Sequence, residues 1–275
     1  MKISICIPVR NGERFLAGTI DSVLAQTFGD FEIVLRDDCS TDGSAGVMRG
    51  YAARDTRVRI LDGGGASSGA EGNWNAVLQA ARGDYIKILC QDDLLEPDCL
   101  QKQSAVLDDT ANAGVAVVGC LRRIINASGR VMPVVRGIRF ASGRMGRGEL
   151  FARIVRSGTN IIGEPQTLLF RALAARRAGL FSGAIPYLID LDYWTRLMQH
   201  GDLYVIPEPL CSFRISRTSW SSALAFKQAG QVRAFMRVLA SRNPGLVSRL
   251  DLLQGDVMAT VNAIGRQVFY LFQEK

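Results

Sequence analysis

A chain of 275 residues, 48% hydrophobic and 21% charged, carries enough apolar side chain to bury one large core, which excludes an intrinsically disordered protein. Its net charge of +7 is concentrated in two places: nine arginines against Glu149 alone between Arg122 and Arg156, and seven basic residues against three acids from Ser221 onward. Such stretches favour phosphates or anionic lipid head groups, whereas nucleic acid is excluded because the arginine run lacks a series of aromatic side chains on which bases would stack.

Through Cys120, short apolar strands alternate with helical patterns, which predicts an α/β fold built on a mostly parallel sheet. Ile3–Val9 is the opening strand. Glu13–Ala25 reads as a helix, because Leu16, Ile20, Val23 and Leu24 recur at helical spacing. A strand at Phe31–Leu35, the polar turn Asp37–Ser44 and a helix to about Arg54 follow. Val58–Leu61 is a third strand, leading through the Gly/Ser-rich loop Gly63–Gly69 into a helix from about Gly72 to Ala81 and a strand at Tyr85–Leu89. The acidic turn Gln91-Asp92-Asp93 comes next, with Pro97 placed to open another helix.

From the strand Val115–Leu121 onward the pattern is less regular, and the Gly-punctuated stretch to Gly148 is expected to hold a hairpin and a mobile loop. Helices at Glu149–Arg156, Arg171–Ala178 and Asp190–Gln199 flank short strands near Thr167–Phe170 and Leu203–Ile206. Beyond Trp220 the chain reads as helical, broken at Asn243-Pro244-Gly245. Its last helix, Leu246–Phe272, aligns Val261, Ile264, Val268, Phe269 and Phe272 on one stripe. The expected division is one domain over residues 1–220 and a helical C-terminal extension over 221–275.

Six scattered cysteines without a CxxC pair argue against a zinc site or a disulfide framework. No apolar run reaches the ~18–20 residues that span a bilayer. Pro8 and Arg10 interrupt the N-terminal run, and no small-residue cleavage site follows. These features predict a cytoplasmic protein, with the basic stretches suited to peripheral contact at the inner membrane face.

In an open α/β sheet, ligands bind beyond the carboxyl ends of the strands. Three polar clusters fall at such ends: Pro8–Glu13, Asp37–Ser44 and Gln91–Asp93. Asp92 and Asp93 are suited to Mg²⁺ or Mn²⁺, which take carboxylate oxygens and bridge to substrate phosphates with one or two protein ligands. The structural alternative for these acids is turn and helix-capping duty.

Several segments, in order, resemble the family 2 glycosyltransferases, which have the GT-A fold with a Rossmann-like nucleotide-binding half. Ile5-Cys6-Ile7-Pro8-Val9-Arg10-Asn11-Gly12-Glu13 resembles their opening strand and turn, and Ser22-Val23-Leu24-Ala25-Gln26-Thr27 the end of their first helix. Asp37-Asp38-Cys39-Ser40-Thr41-Asp42-Gly43-Ser44 resembles their nucleoside-binding turn. Asn75 through Ala81-Arg82-Gly83-Asp84-Tyr85-Ile86 resembles the helix and strand before their metal site. Asp190-Leu191-Asp192-Tyr193-Trp194-Thr195-Arg196-Leu197 resembles their acceptor-side helix, and Phe213-Arg214-Ile215-Ser216-Arg217-Thr218-Ser219-Trp220-Ser221 a loop that folds over the donor diphosphate.

The resemblance implies an inverting transferase acting on a nucleotide sugar, a UDP- or dTDP-sugar, with a saccharide, lipid-linked or protein acceptor, in surface polysaccharide or glycoconjugate synthesis. It implies that Asp38 contacts the base, with Pro8, Val9, Asn11 and Glu13 around the donor pocket. Asp93 would hold Mn²⁺ or Mg²⁺, Asp92 a ribose or the metal shell, and Arg214 or Arg217 the diphosphate. Asp190 would be the base, with Asp192 the runner-up. The chain departs from the family pattern at Cys90, where an aspartate is usual, at Ile189, where a glutamate is frequent, and at Arg10; a histidine near Ser216 is absent. Those departures motivate the alternative of a nucleotide-sugar-binding protein without catalysis. His200, Trp74 and Trp194 read as helix-end and core residues.

Overall fold

The computed structural model describes residues 1–215 and 228–272. The apolar run Ile3–Val9 forms β1, buried at all seven positions because strands flank it on both edges and helices cover both faces. Its alternation divides the core. Ile3, Ile5, Ile7 and Val9 face one apolar cluster with Leu16, Ile20 and Val23 of α1 (Glu13–Leu24), while Cys6 faces the other.

The chain continues through β2 (Phe31–Asp37), α2 (Ser44–Ala52), β3 (Val58–Leu61), α3 (Gly69–Ala80) and β4 (Tyr85–Ile88). These give the parallel run β3-β2-β1-β4, as the alternating pattern predicts. After the two-residue β5 (Leu94–Leu95) and α4 (Cys99–Asp108), the sheet becomes mixed. β6 (Val115–Ile125) is followed by β7 (Val131–Arg136), β8 (Gly143–Met145), α5 (Arg147–Ser157), β9 (Leu168–Arg171), α6 (Ala172–Ala178), α7 (Ile189–Leu197) and β10 (Asp202–Arg214). β9 lies antiparallel between β4 and β6, and β10 runs parallel to β6. The short strands β5, β7 and β8 pair antiparallel with β10, β6 and β10 respectively.

β10 is longer than its sequence pattern suggests. Pro207-Glu208-Pro209 interrupts the apolar alternation, and the strand accommodates it with register shifts on either side of Pro209. The continuation brings Arg214 to the carboxyl end of the sheet, beside the Asp92–Asp93 turn.

Beyond β10 lie α8 (Gln228–Arg242) and α9 (Arg249–Phe272). Gly255 and Ala259 of α9 are buried, and a side chain at Gly255 would collide with the Val155 carbonyl of α5 and the Met236 sulfur of α8. The opposite face exposes Leu250, Leu253, Val257, Val261 and Ile264. Val261 and Ile264 of the expected stripe therefore point away from the core; the side chains of Val268, Phe269 and Phe272 lie outside the described set, as do Arg217 and the boundary at 220/221. Among the described residues no helix is long and apolar enough to cross a membrane.

Candidate functional site

The β1–α1 and β2–α2 turns are laced together at the carboxyl edge of the sheet. Ser40 Oγ and Ser44 Oγ accept the N–H groups of Asn11 and Gly12, each at 2.8 Å. Asn11 Oδ1 accepts Thr41 N–H at 2.8 Å, and Glu13 Oε2 accepts Gly43 N–H at 2.9 Å. A side chain at Gly43 would strike that Glu13 carboxylate. Asn11 (φ 49°) and Cys39 (φ 60°) both sit in the left-handed region, a conformation that Asn adopts more readily than Cys.

Asp38 is 1% exposed and anchors the loop before α3. Its oxygens accept the Ser68 N–H (2.7 Å), both the Ser67 and Ser68 hydroxyls (2.8 and 2.9 Å), Gly69 N–H (3.1 Å) and Arg10 Nη1 (3.1 Å). Burial raises its carboxyl, but these hydrogen bonds outweigh that effect and hold it at about 2. Asp38, expected to contact the base, thus has its lone pairs occupied by the protein. The groups that face open space are its neighbours: Asp37 and Cys39 line a cavity of about 290 Å³ with Met48, Arg49, Leu61 and Asp62. Pro8 and Val9 are buried in β1, and the Val9 carbonyl accepts Asp38 N–H (2.8 Å) and Asn73 Nδ2 (3.1 Å), so both act from within the sheet.

The acidic turn lies next to this cluster. Gln91 clips the Arg10 backbone, accepting its N–H at 2.7 Å and donating to its carbonyl at 2.8 Å. Arg214 donates its backbone N–H to Asp93 Oδ1 (2.9 Å), its Nε to the Asp92 carbonyl (2.8 Å) and its Nη1 to the Asn126 carbonyl (3.1 Å). The guanidinium also stacks over the Phe15 ring at 4.5 Å. Arg214, expected at the diphosphate, is thus 7% exposed and braces the acidic turn.

Asp93 is fully buried, and its Oδ2 has no hydrogen-bond partner among the described residues. Burial and the neighbouring Asp92 carboxylate push its carboxyl well above the usual range, and burial pushes Asp92 up as well. Two acids that repel one another, one with an orphaned oxygen, fit a divalent cation that would also take substrate phosphates. No larger group of His, Cys, Asp or Glu converges on one point among the described residues. Burial, then Asp93 and Asp92, raise the Cys90 thiol well above its ordinary value, so it stays protonated.

Asp190 occupies the first turn of α7, partly exposed. Its Oδ1 accepts Leu191 N–H (2.7 Å) and its Oδ2 accepts Asn160 Nδ2 (3.1 Å). Burial is the main reason its carboxyl is raised to about 7; the Glu164 charge adds to this, and the Leu191 N–H and Arg122 oppose it. Asp192, the runner-up, is buried and holds Arg196 Nε (2.9 Å) and Arg242 Nη1 (2.7 Å), which ties α7 to α8.

Two residues escaped the motif reading. Glu164 lies in the segment between α5 and β9 and pairs with Arg122, whose Nη2 donates to its Oε1 at 2.9 Å. Arg122 stood out in sequence only as part of an arginine run, and nothing in spacing singled out Glu164. Trp194 is fully buried among Phe170, Phe181 and Tyr193, and Trp74 packs edge-on against Phe181 at 5.2 Å, both as core residues. His200 is exposed just beyond α7.

The glycosyl transferase family 2 model matches residues 4–167, more than half of the chain, including the acidic turn and the two laced turns. The chain belongs to glycosyl transferase family 2. An uncharacterized protein of Mycobacterium tuberculosis is 32% identical over 217 residues, covering 76% of this chain. The chain spans 65% of that relative's length and 12% of another matched relative's. Among solved structures, S. aureus TarS (residues 1–349) in complex with UDP-GlcNAc superposes with a TM-score of 0.68 at 18% identity, covering 94% of this chain and 70% of TarS. The mannosyltransferase PcManGT of Pyrobaculum calidifontis, in complex with GDP-Man and Mn²⁺, gives 0.61 at 17% identity, covering 96% of this chain and 75% of that one. The family member described here therefore has the GT-A fold.

Proposed function

We propose that the protein transfers a sugar from a UDP- or dTDP-sugar to an acceptor hydroxyl in one inverting displacement, with Asp190 as the base. The observation that carries this reading is the Asp190 carboxyl at the start of α7, held by the Leu191 N–H and Asn160 Nδ2 and raised by burial to about 7. A base poised near neutral pH is matched to removing a proton from a hydroxyl as it attacks. The acceptor oxygen bonds to the anomeric carbon, the bond to the diphosphate oxygen breaks, and the acceptor proton passes to Asp190. Asp93, with Asp92, would hold Mn²⁺ or Mg²⁺, whose charge would offset that of the departing diphosphate. The cavity at Asp37 and Cys39 is the proposed nucleoside end, and the laced turns of Asn11 and Glu13 form its rim.

Thermal stabilisation by UDP, dTDP and GDP, with and without Mn²⁺, tests the donor site. A shift with UDP or dTDP that requires Mn²⁺ and disappears in Asp93→Ala supports it; no shift with any nucleotide overturns it. The departures at Cys90 and Ile189 favour a second reading, a nucleotide-sugar-binding protein without catalysis. Donor turnover that vanishes in Asp190→Asn decides against that reading.

The acceptor class in this proposal is a saccharide, lipid-linked sugar or protein, in surface polysaccharide or glycoconjugate synthesis. A cytoplasmic location fits the six free cysteines. Contact with the inner membrane face is supported by the edge strand β7 and its flanks, which expose Arg130, Arg136 and Arg139 beside Val131, Val134 and Phe140. Equal partitioning onto anionic and neutral liposomes would remove this part of the proposal.

A further inference from the structure

We infer that Asn160 is a positioning residue for the proposed base, its side-chain amide fixing the direction in which the Asp190 carboxylate faces. The inference rests on the assignment of Asp190 as the base.

The segment that carries Asn160 leads from α5 to β9 and is held at both ends. Asn262 of α9 donates Nδ2 to the Ser157 carbonyl at the end of α5 (2.8 Å), and Ile162 is buried in the core. Gly163 takes φ 126°, where side chains are disfavoured, and a Cβ there would strike Thr167. Further on, Thr167 Oγ1 bonds the Glu164 carbonyl at 2.7 Å. The fully buried Lys87 of β4 donates Nζ to the carbonyls of Gln166 (2.7 Å) and Leu168 (3.0 Å). Asn160 therefore stands on a backbone with little freedom to move.

Within this frame the amide has one orientation. Asn160 Oδ1 accepts the Gly163 N–H at 3.0 Å, a group that can only donate. Nδ2 then supplies both donors, one to the Gly163 carbonyl (3.1 Å) and one to Asp190 Oδ2 (3.1 Å). A flipped amide would set donor against donor at the Gly163 N–H and oxygen against oxygen at Asp190. The turn, rather than Asp190, thus decides that Asn160 presents a donor to the base.

Two effects on the base follow. The Leu191 N–H holds the other oxygen, Oδ1, at 2.7 Å, so one donor on each oxygen sets the carboxylate plane. The remaining lone pairs are the ones that can take the acceptor proton, as when any base is oriented by a third group. The second effect is electrostatic. Burial and the Glu164 charge raise the Asp190 carboxyl to about 7, against the Leu191 N–H and Arg122. The Asn160 donor works on the side of the charged form as well. Asp192 on the same helix is occupied by Arg196 and Arg242.

The test is the titration of Asp190 itself, followed by the carbon-13 carboxyl resonance that Asp190→Asn removes, in the wild type, Asn160→Ala and Asn160→Asp. Asn160→Asp keeps the shape and an oxygen for the Gly163 N–H, so it decides the matter should Asn160→Ala fail to fold. Loss of the donor should raise the midpoint by about one pH unit in Asn160→Ala. In Asn160→Asp the second carboxylate should raise the upper step of the pair further. UDP release from UDP-glucose in Mn²⁺ should fall about tenfold or more at neutral pH, its acid limb moving with the midpoint, while UDP affinity stays within about twofold. A midpoint unmoved in the folded variants overturns the role of Asn160 and leaves Asp190 as the base. Undiminished turnover in Asp190→Asn overturns the base, and the role of Asn160 with it. The titration needs no substrate, so an unmoved midpoint counts against the inference even where UDP-glucose is not turned over.

Discussion

Arg214 donates its backbone N–H to the Asp93 carboxylate at 2.9 Å and its Nε to the Asp92 carbonyl at 2.8 Å, so the last residue of the longest strand braces the acidic turn. The side chain is fixed at its other end by the Asn126 carbonyl and the Phe15 ring. Replacing Arg214 with Met leaves the part-buried carbonyls of Asp92 and Asn126 without their donor. The expected cost is about 2–3 kcal/mol in urea unfolding, with a higher Mn²⁺ requirement for nucleotide binding. Unchanged stability together with weakened diphosphate binding would instead indicate a direct phosphate contact.

The Asp92–Asp93 pair makes an opposite prediction for stability. Both carboxyls are raised in the folded state, so their contribution is fully present below the ordinary carboxylate range and is lost as pH rises through the folded values. At pH 8 without metal, Asp93→Asn is therefore expected to raise the thermal midpoint by several degrees. About 1 kcal/mol moves the midpoint of a chain this size by ~2–4 °C. The same variant should lose the extra stabilisation that Mn²⁺ gives to the wild type. A lower midpoint in metal-free buffer would refute the repulsion argument.

As the proposed base, Asp190 should set the pH dependence of turnover. With its carboxyl at about 7, donor turnover should fall with slope one below pH 7 and level off by about pH 8. Asp190→Asn should lower turnover by about 10²–10⁴-fold while UDP binding is retained. A flat profile between pH 5.5 and 8 would assign the proton transfer elsewhere.

Asp192 serves as the contrasting control. It joins Arg196 and Arg242 across α7 and α8, so Asp192→Asn should cost about 1–3 kcal/mol of stability. Its turnover at 20 °C should stay within about tenfold of the wild type, far from the loss expected of a base. Urea melts and initial rates on the two aspartate variants separate the roles.

Cys39 is exposed and sits at φ 60°, where glycine has no Cβ penalty. Cys39→Gly should stabilise the protein by up to about 1 kcal/mol, the left-handed cost less the entropy that glycine loses on folding.

The parallel half of the sheet was legible because β1, β2, β3 and β4 are short, mainly apolar segments separated by helical patterns, a signal local enough to read along the chain. The carboxyl-end acids were legible for the same reason: Asp38, Asp92, Asp93 and Asp190 each follow a strand end or open a helix. Their roles were not, because a role depends on what occupies each oxygen. Asp38 and Asp93 are both buried aspartates, yet one is saturated by the Ser67–Gly69 loop and the other keeps Oδ2 unpaired. Asp190 and Asp192 lie two residues apart, and only the packing of Arg196 and Arg242 onto Asp192 tells them apart. Glu164 meets Arg122 across 42 residues, and Arg214 meets Asp93 across 121. The sequence by itself determined the family, the parallel half-sheet and the set of acids at its carboxyl edge, since these follow from periodicity and short motifs. Which of those acids is braced, repelled or left free was decided by tertiary contacts: the Ser67–Gly69 loop closes on Asp38, β10 carries Arg214 to Asp93, and α8 brings Arg242 to Asp192.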